Sequence, residues 1–262
     1  MKVWLITGTS SGLGAALARA VEDHGDAVVA TTRDGEGVRL DVTDPSSVAG
    51  AVAAAMETHG RIDVLVNNAG YGQLGALEEL KDAELREAFE TNLFGALTLT
   101  RAVLPIMRAQ HAGHIVQMSS VVGVTSGPGG SAYAGPKAAL EAVSEALAAE
   151  VAQFGIKVTI VEPGPFRTDF SGRSLRFAAV PNEAYAPLLA PATAAFKASH
   201  GTQPNDPYRG AQAIIAAVEA EHPPLRLPLG SEAFGWLRAY LTGRLDALAA
   251  AEVLGRDTAY LD

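Results

Sequence analysis

Short apolar runs alternate with segments of helical period along most of this chain, and that alternation restricts the fold more than any other feature. Residues 2–7 (KVWLIT) are an apolar run ending at a glycine, which predicts a buried strand. Residues 12–24 carry Leu13, Leu17, Ala20 and Val21 at helical spacing. Further strands are expected at 26–32, 37–41, 62–66, 114–118 and 156–161, with helices at 45–59, 82–110 and 131–154. Asp44 is placed to cap the helix that Pro45 opens. Pro105 should kink or locally break the long helix, because proline lacks an N–H and clashes with the preceding turn. Ten of the fourteen prolines fall between 163 and 228. That stretch is expected to be mostly loop, with one helix at about 207–221 and a short strand at 225–228. A C-terminal amphipathic helix is expected at 231–250.

Strands separated by helices imply parallel neighbours, because parallel pairing needs a crossover connection. The expected class is therefore α/β. With 262 residues, 48% of them hydrophobic, and no repeat or linker, a single domain over 1–262 is expected. The net charge of −9 argues against a nucleic-acid surface, which needs a basic stripe. The lack of cysteine removes disulfides, thiolate metal sites and thiol nucleophiles. No run approaches the roughly 20 apolar residues of a membrane span, and the first residues do not have the pattern of a secretory leader. A cytoplasmic protein with no membrane partner is expected.

In parallel sheets ligands bind beyond the carboxyl ends of the strands, so the residues there carry the functional reading. After the first strand comes Thr7-Gly8-Thr9-Ser10-Ser11-Gly12-Leu13-Gly14. A glycine-rich turn entering a helix lets backbone N–H groups approach a pyrophosphate at the positive helix end. Its spacing is TGxxxGxG rather than GxGxxG, and a turn without a nucleotide role reads the same way. After the fourth strand comes Asn67-Asn68-Ala69-Gly70, which also reads as an ordinary Asn/Gly turn. Ser119 and Ser120 end the fifth strand. Tyr133 and Lys137 follow at i and i+4, on one helical face, a pairing common on surface helices. After the sixth strand comes Pro163-Gly164-Pro165-Phe166-Arg167-Thr168.

In this order, TGTSSGLG, the LDVTD segment at 40–44, NNAG, Asn92, Ser120, Tyr133 with Lys137, and PGPFRT resemble the short-chain dehydrogenase/reductase family. The resemblance covers residues 1 to about 230, and the thirteen residues from Ser120 to Tyr133 match the family's usual spacing. It implies a Rossmann-type doubly wound parallel sheet and an NAD(P)-dependent oxidoreductase. One position departs: the family's usual serine before the lysine is Pro136. Proline is acceptable in a first helical turn, so that helix is expected to begin near Ala134.

The resemblance further implies roles. Tyr133 would be the general acid in reduction and the base in oxidation. Lys137 would bring the tyrosine down from its usual pKa of about 10 and hold the nicotinamide ribose. Ser120 would hydrogen-bond the substrate oxygen, and Asn92 would position a water in a proton relay to the lysine. Gly8, Ser10, Ser11, Gly12, Leu13 and Gly14 would line the cofactor phosphates. Asp41 and Val42 would meet the adenine. Asn68, Ala69 and Gly70 would lie along the adenosine ribose, and Pro163, Gly164 and Thr168 near the nicotinamide amide. At the end of the second strand, the usual acidic position is Thr32, and Arg33 follows it. An arginine there suits a ribose 2′-phosphate, which favours NADP(H), with NAD(H) as the alternative. The basic residue that some NADP enzymes carry in the glycine turn is Ser11 here.

Residues 165–206 offer Phe166, Phe170, Leu175, Phe177, Tyr185, Leu188 and Leu189 for a lid over a hydrophobic carbonyl or alcohol; ordinary loop packing is the alternative. Two rival functions share the fold: a non-catalytic NAD(P)-binding sensor, and sugar epimerisation by longer relatives. The first would be expected to lose Tyr133 or Lys137, the second to carry a larger substrate region. The histidines are scattered, His111 and His114 being read as loop residues, so no metal site is expected. A homodimer is expected through helices 82–110 and 131–154, where Ala138, Ala142, Ala146 and Ala149 permit close approach. Phe234, Trp236, Leu237 and Tyr240 of a C-terminal extension, 231–262, would cover the last strand.

Overall fold

The computed structural model describes residues 1–35 and 37–260. In chain order the elements are β1 (Val3–Thr7), α1 (Gly12–Asp23), β2 (Ala27–Thr32), β3 (Val38–Arg39), α2 (Pro45–His59), β4 (Val64–Asn67), β5 (Gly72–Leu74) and α3 (Asp82–Phe89). A π-helical turn (Glu90–Gly95) leads into α4 (Ala96–Gln110), followed by β6 (Gly113–Met118), α5 (Val121–Val124), α6 (Ser131–Val151) and β7 (Ile156–Pro163). Then come β8 (Leu175–Phe177), α7 (Ala186–Ala198), α8 (Pro207–Glu219), β9 (Arg226–Leu229) and α9 (Ser231–Gly255).

Among the described residues, seven strands form one sheet in the order β3-β2-β1-β4-β6-β7-β9, and every pairing is parallel. The chain winds outward from β1 in both directions, so the switch point lies between β1 and β4. Successive side chains of a strand point to opposite faces. Leu5 of β1 accordingly packs with Leu65, Leu99, Val103, Met107 and Ile115 on the face covered by α2 and α4. Trp4 and Ile6 pack with Leu17, Val21, Ile214 and Val218 on the face covered by α1 and α8. Helices on both faces explain why the strands read as unbroken apolar runs.

Several expectations are corrected. The 82–110 helix is interrupted at Glu90–Gly95, while α4 runs unbroken through Pro105. Pro105 is exposed, as is Arg101 one turn earlier, so the carbonyl that loses its partner can turn to water. The 163–228 stretch is not mostly loop: it holds β8 and α7 as well as α8. Proline count misleads there, because Pro187 sits in the first turn of α7, where its missing N–H costs nothing. The helix carrying Tyr133 starts at Ser131, so Pro136 lies in its second turn. His114 belongs to β6, buried and bonded to Thr159 at 2.9 Å, and burial pushes its imidazole down to about 4. His111 ends α4 with φ 51°, a left-handed cap. The expectation for the 231–262 extension holds only in part. Leu237 is buried against Val121 of α5, Tyr240 is part-buried, and Phe234 and Trp236 remain half exposed. Residues 261–262 lie outside the described residues.

Candidate active site

The carboxyl ends of β1, β2, β4, β6 and β7 open into a single cavity of about 1830 Å3. Sites for one small ligand run to about 300–1,000 Å3, so this space admits a dinucleotide and a second molecule together. Of the site residues expected above, Gly8, Ser10, Ser11, Gly12, Leu13, Arg33, Asp41, Val42, Asn68, Ala69, Gly70, Asn92, Ser120, Tyr133, Lys137, Pro163, Gly164 and Thr168 line it.

Gly14 does not line it. A Cβ at Gly14 would strike the Asn68 side chain and the Gly8 carbonyl, so this glycine lets α1 close on the strand ends behind the turn. Gly8 has φ 69° and Gly12 φ 63°, a backbone that glycine alone adopts without strain. The turn is braced from the neighbouring strand. Asn68 Nδ2 donates to the carbonyls of Thr7 and Gly8 at 2.8 and 3.1 Å, and Thr7 Oγ1 accepts from the N–H groups of Asn68 and Ala69 at 2.8 Å each. Ser11 caps α1 by position while its hydroxyl makes no capping bond, so the N-terminal N–H groups face the cavity. This cradle fits a pyrophosphate.

At the adenine end, Asp41 Oδ1 accepts from the N–H and hydroxyl of Thr43 at 2.9 and 2.7 Å, which holds its carboxyl below the usual range. Val42 packs where a Cβ on Gly95 would collide with it. Arg33 is exposed at the cavity edge, 3.5 Å from Asp34.

The chemistry gathers at the end of β6. Ser120 starts α5, with its Oγ accepting from Val122 N at 3.4 Å. Ser120 lies beside the Tyr133 hydroxyl, whose ionised form it favours, and the Tyr133 ring stands 5.5 Å from that of Phe170. Lys137 is 4% exposed, and its Nζ donates to the Met118 carbonyl at 2.6 Å. Asn92 is 1% exposed. Its Oδ1 accepts from Tyr71 N at 3.1 Å, and its Nδ2 donates to the Tyr71 and Ala88 carbonyls at 3.1 and 2.9 Å. The asparagine side chain is thus spent on pinning the loop after β4 to the π turn. Such turns recur at functional sites.

In the unliganded site burial pushes Tyr133 up to about 12, because it disfavours the phenolate and Ser120 offsets only part of that. Lys137 sits 5.9 Å from the ring centroid and spends its ammonium on the strand end. Burial also pushes Lys137 down to about 8, against the pull of Glu141.

Opposite Tyr133, the lid is docked rather than loose. β5 and β8 pair in parallel, Gly72 to Leu175 and Leu74 to Phe177. Glu79 and Glu84 accept from the N–H groups of Asn182 and Ala179, and Arg176 pairs with Glu87 at 2.8 Å. Phe170, Leu175, Phe177 and Leu189 line the cavity, joined by Phe196 and Trp236, which sequence reasoning missed. Leu188 is 57% exposed, and Tyr185 bonds outward to Glu78. Neither lines the cavity: Leu188 is on the outer side of α7, and Tyr185, in the turn before it, is held by Glu78. Phe166 is 7% exposed and packs mainly into the core against Gly210. Arg173 was also missed: from the lid it reaches the Ser10 carbonyl of the glycine turn at 3.4 Å.

Residues 2–177 match the protein family described as short chain dehydrogenase. An oxidoreductase of Botryotinia fuckeliana is 40% identical over 247 residues, covering 88% of this chain and 90% of that one. Retinol dehydrogenase 8 of Homo sapiens is 38% identical, with 85% and 79% covered. A 3-ketodihydrosphingosine reductase of Bacteroides thetaiotaomicron is also 38% identical, with 87% and 88% covered. Among solved structures, a short-chain dehydrogenase from Streptomyces avermitilis superposes with a TM-score of 0.92 at 44% identity over 98% of both chains. An alcohol dehydrogenase from Thermococcus sibiricus, complexed with 5-hydroxy-NADP, gives 0.70 at 26% identity over 87% and 96%. With the glycine turn, the serine–tyrosine–lysine cluster and the strand order all in register, the chain belongs to the short-chain dehydrogenase/reductase family of oxidoreductases.

Proposed function

We propose that this chain is a cytoplasmic, NADP-dependent oxidoreductase that interconverts a hydrophobic carbonyl compound and its alcohol, with Tyr133 as general acid and base. The observation that carries this reading is the position of Tyr133: beside Ser120 and Lys137, on the floor of a cavity whose opposite wall is apolar. When bound, the nicotinamide supplies the hydride. Tyr133, protonated throughout the neutral range, gives its proton to the nascent alkoxide in reduction and takes it back in oxidation. The Ser120 hydroxyl stabilises the charge on that oxygen. Lys137 holds the end of β6 in place, and the remaining protons of its ammonium would hold the ribose hydroxyls. The lid wall, from Phe170 to Phe196, excludes water. Relatives named for retinol and for 3-ketodihydrosphingosine support a large apolar substrate.

The direct test follows NADPH absorbance against a range of ketones and aldehydes. Turnover of apolar ketones is expected. Tight NADPH binding without turnover of any carbonyl would favour the sensor reading instead.

Arg33 supports NADP, as does the NADP analogue bound to the Thermococcus sibiricus enzyme. Arg33→Ala is expected to weaken NADPH binding by about 10- to 100-fold, the range of one or two charge-assisted hydrogen bonds, and NADH binding far less. Titration calorimetry with both dinucleotides checks this, and equal losses would show that Arg33 does not read the 2′-phosphate.

A homodimer through α4 and α6 belongs to the same proposal. Ala138, Ala142, Ala146 and Ala149 are all exposed on α6, which leaves a small-residue face open to close helix approach. Light scattering is expected to give twice the 27.1 kDa chain mass. A monomer would refute the helix interface, and a tetramer would show a second interface beside it.

A further inference from the structure

Glu141 lies one helical turn beyond Lys137 on α6 and is 3% exposed. A carboxylate buried this deeply needs compensating partners. The Ser119 hydroxyl donates to its Oε1 at 2.6 Å, and Arg226 Nη1 of β9 donates to its Oε2. The same guanidinium donates to Glu162 of β7 at 2.6 Å and to Glu145 of α6 at 2.8 Å. A Cβ on Gly123 would strike both Glu141 Oε1 and Ser119 Oγ, so α5 passes close over the carboxylate only because a glycine stands there.

This cluster sits directly behind the reacting groups. Ser119 is flanked by Met118, whose carbonyl receives the Lys137 ammonium, and by Ser120, which stands beside Tyr133. The titratable groups beside Lys137 are Tyr133, with its ring centroid 5.9 Å from the ammonium, and Glu141, one turn further along the same helix. Glu162 and Glu145 are both engaged by Arg226. Glu141, four residues from Lys137, is the one that opposes the burial of its ammonium.

We propose that Glu141 is a positioning residue for the reaction: it supplies the counter-charge that keeps Lys137 an ammonium and, through Ser119, fixes the strand end that carries Ser120. The catalytic half of this statement rests on the oxidoreductase reading above; the charge pairing does not. Loss of the carboxylate charge leaves burial unopposed, so Lys137 must titrate at lower pH in its absence.

The test uses the whole chain with Glu141→Gln, which keeps the size and the hydrogen bond to Ser119, and Glu141→Asp, which keeps the charge. Nitrogen-15 NMR of the lysine Nζ is followed against pH. The Lys137 midpoint is expected to fall by about one unit in Glu141→Gln and to stay close to its original value in Glu141→Asp. In NADPH-dependent reduction, the alkaline limb of kcat should move down with the lysine midpoint, and KM for NADPH should rise at pH values where Lys137 has lost its proton. Should the glutamine variant not fold, Glu141→Met provides an apolar replacement of similar length for the same titration. An unmoved Lys137 midpoint in a folded variant overturns the proposal. A shifted midpoint in a chain that turns over no carbonyl would uphold the charge pairing and overturn the oxidoreductase reading instead.

Discussion

Replacing Tyr133 by phenylalanine should lower turnover by about three orders of magnitude or more, at the upper end of what one general acid contributes, with NADPH binding and thermal stability largely unchanged. The ring that packs 5.5 Å from Phe170 is retained, and Ser120 keeps its bond from Val122 N, so the site loses one hydroxyl and nothing else. Lys137 is held by the Met118 carbonyl rather than by the phenol, so it stays in place in the variant. Steady-state kinetics with fluorescence titration of NADPH separates the two quantities. Turnover near that of the unaltered chain would remove Tyr133 from the mechanism. The phenol's pKa of about 12 sets the direction in which the unliganded site is poised. Burial keeps the phenol protonated at neutrality, so on the proposed mechanism it is set to donate its proton in reduction.

Arg226→Met should destabilise the fold severely. Its guanidinium joins three carboxylates, and the side chains of Glu141 and Glu162 are only 4% and 2% exposed. Breaking a buried pair costs about 3 kcal/mol or more, because a charge is left without its partner. For a chain of this size that corresponds to a fall in Tm of roughly 6–12 °C. The loss must depend on pH. Burial already raises Glu162 above its ordinary value, with Arg226 pulling the other way. A carboxyl whose folded pKa is raised destabilises the fold above its unfolded value and relieves that cost as it protonates. Removing Arg226 takes away a contact that pulls Glu162 down, so its carboxyl rises further, and the deficit should be full near pH 8 and smaller near pH 5. Urea unfolding at both pH values measures it, and a deficit that grows toward pH 5 would contradict the assignment of charges.

The sheet was legible because buried parallel strands are apolar on both faces, and each strand expected from its apolar run is present within a few residues. The cavity was legible because its chemistry sits on strand ends, where glycine, asparagine and serine stand out against valine and leucine. What escaped reading had physical causes. β5 and β8 are three residues each, and Gly72 and Gln73 carry no strand signal of their own; their pairing comes from the lid docking on the loop after β4. α7 was masked by Pro187, whose missing N–H costs nothing in the first turn, and by Pro191, an interior proline that the helix carries nonetheless. Gly14 resembles its neighbours Gly8 and Gly12 in sequence, yet it is the Asn68 side chain, 54 residues away, that requires it to be glycine. The upward shift of Tyr133 depends on burial by residues as distant as Phe170, and no local spacing reports that.

The π turn at Glu90–Gly95 has a consequence for chain length. A regular α-helix turns by about 100° per residue, and a π turn takes in one residue beyond what the α pattern would hold. α4 is therefore rotated by about that angle relative to a direct continuation of α3. This rotation lets Ala88 be buried before the turn and Leu99, Val103 and Met107 line a common core stripe after it. It also aims Asn92 at Tyr71. A deletion of one residue anywhere in 90–95 would heal the helix and swing one of its two halves out of phase. The segment can thus drift in residue type at exposed positions such as Phe94 while its length stays locked, so alignments of related chains should show no gap there.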